Sequence, residues 1–391
     1  MIDYSSVLSE RVQELSPSGI RKFFDLASEM EGVISLGVGE PDFKTPYSIR
    51  RAGIESLEKG RTWYTANAGL KELKVEITNY LRRRFELDYN PADEVIVTVG
   101  GSEAIDLAIR SLINPGDEVL VPEPCFVAYA PIAALTGAKV VPIPTREEDD
   151  FKLCAAALKE RITDKSKLLI FPYPNNPTGA VMRQKELEEI AGVLRDTNII
   201  VLSDEIYAEL TYGERRHVSI ASIEGMRERT ILVSGFSKAY AMTGWRIGYV
   251  CAPAPITAQM LKVHQYAIMC SPTTSQYAAV TAMRSCDDEI RKMADEYDVR
   301  RRLCVGEFNR IGLHCFPAEG AFYVFPSIKS TGMSSDEFCQ ELLYSKRVAV
   351  VPGTAFGAAG EGYVRVSYSY SVSYLVNAIK RIEEFLQERK G

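Results

Sequence analysis

The segment Val95-Ile96-Val97-Thr98-Val99-Gly100-Gly101-Ser102-Glu103-Ala104-Ile105-Asp106-Leu107 decides the fold class. Five consecutive β-branched residues make a strand, two glycines break it, and apolar residues at helical spacing follow. A strand without alternating polar positions suits a sheet covered on both faces. Reading outward, the same alternation recurs. Further candidate strands are Glu118–Val121, Ala138–Ile143, Leu168–Pro172, Ile199–Ser203, Thr230–Ser234 and Ile247–Cys251. Amphipathic stretches Glu103–Ile113, Val127–Leu135 and Gln184–Asp196 lie between them. The pattern predicts an α/β fold with a seven-stranded, mostly parallel sheet between helices.

The flanks read differently. A short helix over Gly19–Met30 and an apolar segment Val33–Leu36 come first. After the sheet come a charged helix over Asp287–Ile311 and short strands at Phe322–Phe325, Val348–Val351 and Tyr363–Ser367. A last amphipathic helix begins at Val372. The expected division is a large domain over residues 46–285 and a smaller α+β domain built from residues 1–45 and 286–391.

Composition narrows the function. The 391 residues carry 46 basic and 52 acidic side chains, a net charge of −6, with 46% hydrophobic residues. That is globular composition without the basic excess that nucleic acid or an anionic membrane demands. The one basic run, Arg82-Arg83-Arg84, reads as a solvated helix end, and the acidic run Glu147–Asp150 as a solvated loop. Met1-Ile2-Asp3-Tyr4 shows no signal-peptide pattern, and Val263–Met283 is too polar to cross a bilayer cheaply, so a cytoplasmic protein is expected. Eight cysteines stand singly between Cys125 and Cys339, and His217, His264 and His314 are scattered. No metal site and no disulfide framework is read from them.

Four segments carry chemistry. At Gly100-Gly101-Ser102 the paired glycines let backbone amides approach an anion at a helix N-terminus. Taken alone, an ordinary strand-to-helix turn capped by Ser102 explains them better, because glycine turns are common in α/β proteins. Neither the G-x-G-x-x-G spacing of a dinucleotide site nor the Gly-Lys-Ser/Thr of a P-loop is present. In Tyr173-Pro174-Asn175-Asn176-Pro177-Thr178-Gly179 the loop follows a strand at the edge where open α/β sheets bind ligands. Asn176 offers a donor and an acceptor there, although asparagines in turns also bond their own backbone. Asp204, at the end of Ile199–Ser203, is costly to bury unless it meets a cation, such as a protonated ring nitrogen, and Tyr207 follows three residues later. Most telling is Ser234-Gly235-Phe236-Ser237-Lys238-Ala239-Tyr240-Ala241-Met242-Thr243-Gly244-Trp245-Arg246-Ile247-Gly248-Tyr249. Lys238 stands among small and aromatic residues with no acidic neighbour, so desolvation favours the neutral amine that attacks carbonyls. Arg246 presents a fork suited to phosphate.

These motifs, in this order, resemble the pyridoxal 5′-phosphate-dependent aminotransferases of fold type I, class I/II. Among them the chain is similar to the aspartate and aromatic aminotransferases and the bacterial aminotransferase A group. The likeness runs from Ser18-Gly19-Ile20-Arg21-Lys22-Phe23 through Gly37-Val38-Gly39-Glu40-Pro41-Asp42-Phe43 to Tyr363-Val364-Arg365-Val366-Ser367. It implies an enzyme that moves an amino group from an L-amino acid, aspartate or aromatic, to a 2-oxo acid such as 2-oxoglutarate. The route it implies is ping-pong through pyridoxamine phosphate. By the same resemblance Lys238 holds the cofactor as a Schiff base, and Asp204 keeps its ring nitrogen protonated. Tyr207 and Asn176 bond the ring oxygen, and Phe126 stacks on the ring. Gly101, Ser102, Glu103 through its amide, Arg246, and either Ser234 or Ser237 grip the phosphate. Tyr64 reaches it from the neighbouring subunit of a homodimer with shared sites. Arg365 and the Gly39 amide take the substrate carboxylate. Gly235 departs from the family, many of whose members carry serine three residues before the lysine. No arginine announces itself for a second substrate carboxylate, though Arg21 and Lys22 lie in a segment that often closes over the site. A C–S β-lyase on the same cofactor is the alternative. A nicotinamide dehydrogenase lacks its glycine fingerprint, and a transcription regulator would need a basic helix-turn-helix module.

Overall fold

The computed structural model describes residues 2–17, 30–213 and 216–389. The helix expected over Gly19–Met30, with Arg21 and Lys22, lies outside them except for Met30. After the short strand β1 (Ile34–Ser35) come β2 (Val95–Thr98), β3 (Glu118–Glu123), β4 (Lys139–Pro144), β5 (Ser166–Phe171), β6 (Ile200–Asp204), β7 (Thr230–Gly235) and β8 (Gly248–Cys251). Strands β2 to β8 form one sheet in the order β2-β8-β7-β6-β5-β3-β4. Only β8 opposes its neighbours; every other adjacent pair is parallel. All seven expected strands form, their ends differing from the sequence reading by no more than two residues.

Both faces of this sheet are covered, as unbroken apolar strands require. Val95 and Val97 pack with Leu73, Ile77, Phe236 and Tyr249 on one side, whereas Ile96 packs with Ala104, Ala108 and Val233 on the other. Three helices over Tyr47–Glu58, Ala254–Ala267 and Thr273–Ser285 were not expected from the sequence, and a fourth, Lys71–Phe85, was expected only at its basic end. The inward face of Thr273–Ser285 explains why. It buries Ser275, Gln276, Ala278, Ala279 and Ala282, so it shows little apolar periodicity. That helix and its predecessor divide the uncharged Val263–Met283 stretch, and among the described residues no helix is long and apolar enough to cross a membrane.

The remaining strands join distant parts of the chain. β1 pairs in parallel with β10 (Val348–Ala349). β9 (Tyr323–Val324) and β11 (Val351–Pro352) flank β12 (Val364–Ser367) in an antiparallel sheet. The helix Val372–Glu388 buries Leu375, Ala378, Ile379, Ile382 and Phe385 against the same core as Ile34 and Leu36. The basic run needs correction. Arg82-Arg83-Arg84 does end a helix, but Arg84 reaches the buried Glu209 carboxylate at 2.5 Å, where Tyr80 also donates. Burying Glu209 requires such a partner, so this arginine is drawn in from solvent.

One close approach fixes where the strand ends meet. Gly235 and Gly248 are cross-strand partners, and a Cβ on Gly248 would lie 2.7 Å from the Gly100 carbonyl carbon. Backbone occupies the space that a side chain would need. Gly248→Ala is expected to lower stability by about 2 kcal/mol through overpacking. Gly192→Ala, on an exposed helical turn with open space around it, is expected to raise it by about 0.5–1 kcal/mol. Urea-denaturation midpoints moving in opposite directions for the two variants check both.

Candidate active site

The carboxyl ends of β2, β5, β6 and β7 open onto a cavity of about 630 Å³. Ligands in open α/β sheets collect at this edge because loops and helix N-termini leave polar groups there. Its walls include Gly101 and Ser102 after β2, Asn176 after β5, Asp204 and Tyr207 at the end of β6, and Ser237, Lys238 and Arg246 after β7. Phe126 lines it from the loop after β3, Gly39 from the segment after β1, and Arg365 from β12. Eleven of the expected residues thus share one cavity although they span Gly39 to Arg365 in sequence.

Asp204 is buried at a strand end, and burial pushes its carboxyl up to about 6. The Tyr129 hydroxyl donates to it at 2.7 Å and the Ile206 amide at 3.2 Å, both of which favour the charged form. Burial lowers the Lys238 amine to about 8, with Glu40 acting in the opposite direction. Its Nζ donates to the Gly39 carbonyl at 2.6 Å and lies 5.6 Å from the Phe322 ring centre. Arg365 is buried, and its guanidinium sits 4.5 Å from the ring centre of Tyr323 and 4.9 Å from that of Phe356. Nη1 donates to Asn176 Oδ1 at 2.9 Å and Nη2 to the Gly37 carbonyl, while the buried Nε has no partner. Among the described residues, none of Lys238, Arg246 and Arg365 forms an ion pair. A cavity that holds three unpaired cations beside one buried carboxylate is built for an anionic guest.

The glycines shape the anion end. A Cβ on Gly100, whose φ is +74°, would lie 2.8 Å from Arg246 Nη2. Arg246 itself adopts a left-handed backbone, φ +49°, and its Nη1 donates to the Thr243 carbonyl at 2.9 Å. On the opposite wall, Gly39 leaves room for the Tyr323 hydroxyl, 2.5 Å from where a Cβ would stand. The segment carrying Gly39 is held from behind by Arg300, whose Nη1 meets both Asp42 oxygens at 2.8 Å.

Three expected residues lie off the cavity. Ser234 Oγ donates to the Glu205 carbonyl at 3.3 Å, because its place on β7 turns it toward the sheet, whereas Ser237 faces the cavity. The Glu103 carboxylate turns back to the Val99 amide. Tyr64 is 75% exposed on the surface. In the proline loop the two asparagines divide the readings: Asn175 accepts from the amide and hydroxyl of Thr178, a turn bond, and Asn176 meets Arg365. Sequence reasoning missed Tyr129 and Tyr323, whose hydroxyls meet Asp204 and Tyr207 at 2.7 and 3.0 Å. Tyr129, three residues after Phe126, sits where a helix begins, so its spacing was a usable signal. Tyr323 sits in an apolar strand and has none.

Known proteins resemble this chain along nearly its whole length. Residues 31–382 match the family model described as aminotransferase class I and II. The chain belongs to that family. The protein named "Putative aminotransferase YugH" of Bacillus subtilis (strain 168) is 53% identical over 98% of this chain and 99% of its own. The aspartate aminotransferase of Pyrococcus abyssi is 46% identical over 98% of this chain and 99% of its own. Among solved structures, the aromatic aminotransferase from Pyrococcus horikoshii OT3 superposes with a TM-score of 0.90 at 45% identity, covering 95% of this chain and 99% of that one. The protein is therefore an aminotransferase with the fold type I architecture, and class I and II aminotransferases depend on pyridoxal phosphate.

In this aminotransferase the Asp204 charge works against folding. Its folded value near 6 lies above that of an exposed aspartate, so the penalty is fully present above pH 6 and gone below about pH 4. Asp204→Asn is expected to stabilise the cofactor-free chain by about 3 kcal/mol at pH 7.5 and to give no gain at pH 3.5. Denaturation midpoints of both proteins at the two pH values check this.

Proposed function

We propose that the protein is a pyridoxal 5′-phosphate-dependent aminotransferase that moves the amino group of an L-amino acid, aspartate or aromatic, to 2-oxoglutarate in ping-pong half-reactions. The observation that carries the reading is the desolvated Lys238 amine, which shares its cavity with buried Asp204 and unpaired Arg365. The relatives' names, aspartate and aromatic aminotransferase, support the donor class.

The cavity fits the cofactor. The Arg365 guanidinium with its orphaned Nε suits a carboxylate, and the Gly100–Gly101 turn beside Arg246 leaves space that a Cβ would fill. When bound, pyridoxal phosphate supplies the carbonyl that takes up the amino group and the ring that accepts electrons from the substrate Cα. Asp204 would hold a negative charge for the ring nitrogen and keep it protonated, and the Tyr129 hydroxyl favours the ionised form of Asp204. Asn176 has its Oδ1 occupied by Arg365, so its Nδ2 is the group left to donate to the ring oxygen, beside the Tyr207 hydroxyl. Phe126 would stack on the ring. Gly101, Ser102, Ser237, Arg246 and the Glu103 amide would hold the phosphate. Arg365 and the Gly39 amide would take the substrate carboxylate in the cavity that also holds Lys238. A lysine near 8 keeps a useful neutral fraction at neutral pH, so its Nζ would serve as the base for the Cα proton.

Tyr64 supports a homodimer with shared sites. It is exposed, as are Trp63, Tyr266 and Met269, and Asn67 of the same segment donates to the Met269 carbonyl. We assign the large domain to residues 46–285 and the small one to 1–45 and 286–391.

Three experiments test the reading. Lys238→Ala is expected to abolish turnover and the borohydride-reducible bond between protein and cofactor, whereas measurable transamination by the variant rejects the assignment. A panel of amino donors against 2-oxoglutarate should give parallel double-reciprocal lines with aspartate or an aromatic amino acid preferred. Pyruvate and ammonia released from cysteine or cystathionine in its place would mark a lyase. Sedimentation of the active enzyme should show a dimer, and a fully active monomer would remove Tyr64 from the site.

A further inference from the structure

Behind the phosphate turn lies a second buried polar pair. His264 is fully buried on the helix Ala254–Ala267. Its Nδ1 lies 2.6 Å from Glu103 Oε1, and its Nε2 lies 2.9 Å from the Asn67 carbonyl oxygen. The other Glu103 oxygen accepts from the Val99 amide at 2.5 Å, the residue that opens the Gly100-Gly101-Ser102 turn.

Counting protons decides the state of this pair. A carbonyl oxygen only accepts, so Nε2 carries a hydrogen. The 2.6 Å contact between Nδ1 and a carboxyl oxygen is too short for two lone pairs and holds a second hydrogen. Imidazolium with carboxylate, or imidazole with carboxylic acid, both satisfy this count, and both leave the pair with zero net charge. A neutral imidazole beside an ionised Glu103 would instead put an uncompensated negative charge in the first turn of the helix whose N-terminus faces the phosphate site. There it would repel a phosphate dianion through a low-dielectric interior.

We propose that His264 is a positioning residue that shares a proton with Glu103, cancels its charge beside the cofactor phosphate and braces the Gly100–Ser102 turn. This rests on the cofactor reading above. The same ring ties that turn to the Tyr64 segment, since Asn67 receives its second bond and donates Nδ2 to the Met269 carbonyl at 2.9 Å. One imidazole thus connects the turn that holds a phosphate with the strip of chain that reaches the neighbouring subunit.

Two measurements test it. Nitrogen-15 histidine spectra of the wild-type enzyme in neutral buffer, assigned by removing each of the three histidines, should show a proton bonded to Nε2 and one shared between Nδ1 and Glu103. A His264 with a bare, unbonded Nδ1 overturns the proposal whatever the cofactor. Binding of pyridoxal 5′-phosphate and of pyridoxal to the full-length apoenzyme supplies the second readout. His264→Phe should weaken the phosphorylated ligand on the order of tenfold or more, leave pyridoxal unchanged, and recover most of the loss when Glu103→Gln is added. Equal loss of both ligands, no loss of either, or no recovery in the double variant overturns the charge-cancelling role. A wild-type apoenzyme that ignores pyridoxal phosphate rejects the cofactor reading, and the spectra still judge the proton.

Discussion

A carboxylate held at the dry end of a β-strand constrains everything around it. Asp204 follows Ile200, Val201 and Leu202 into the edge of a sheet whose strands are buried on both faces, and the same burial that makes the sheet stable penalises its charge. Tyr129 and the Ile206 amide lessen that penalty without removing it. The remaining deficit is the means by which the fold favours a cationic partner in the cavity. Lys238 is subject to the same desolvation with the opposite shift, because burial lowers its amine to about 8 and enlarges the neutral fraction able to act at working pH. One low-dielectric pocket therefore tunes two groups in complementary senses.

Such a pocket exists only because distant segments close it. Asp204 ends β6 and Lys238 follows β7, but Arg365 comes from β12 and the facing loop from just after β1. Leu36 bonds both Ala349 and Ser367, which fixes the approach of the Gly37–Phe43 segment, and Arg300 holds Asp42 behind it. Tyr323 unites the two halves: its hydroxyl meets Tyr207, its ring lies against Arg365, and Gly39 makes space for it. Loss of the Asp42 or Tyr323 contact would leave Arg300 or Arg365, both buried, without that orienting partner, and in a preorganised site misorientation costs more than the contact itself.

The charge cancellation proposed behind the Gly100–Ser102 turn follows the same logic. An acidic residue in the first turn suits the helix dipole but opposes an anionic ligand at that terminus. His264 lets the chain keep the carboxyl that caps Val99 while withdrawing its charge.

Strand composition and glycine placement made the sheet legible: unbroken β-branched runs have few other stable environments, and their order predicted seven strands that form where expected. Lys238, Asp204, Asn176 and Arg246 stood out for a related reason, as polar groups at strand ends where burial needs an explanation. Other features depended on what folding places opposite what. Ser234 and Ser237 are indistinguishable in sequence, and only strand orientation turns the second into the cavity. Arg84 reads as a surface charge until Glu209 arrives from far along the chain, and Tyr323 reads as core until Arg365 lies against it. Periodicity reports which face of an element is buried; it carries no record of the partner across the interface, and that partner decides whether a buried polar group is a cost or a function.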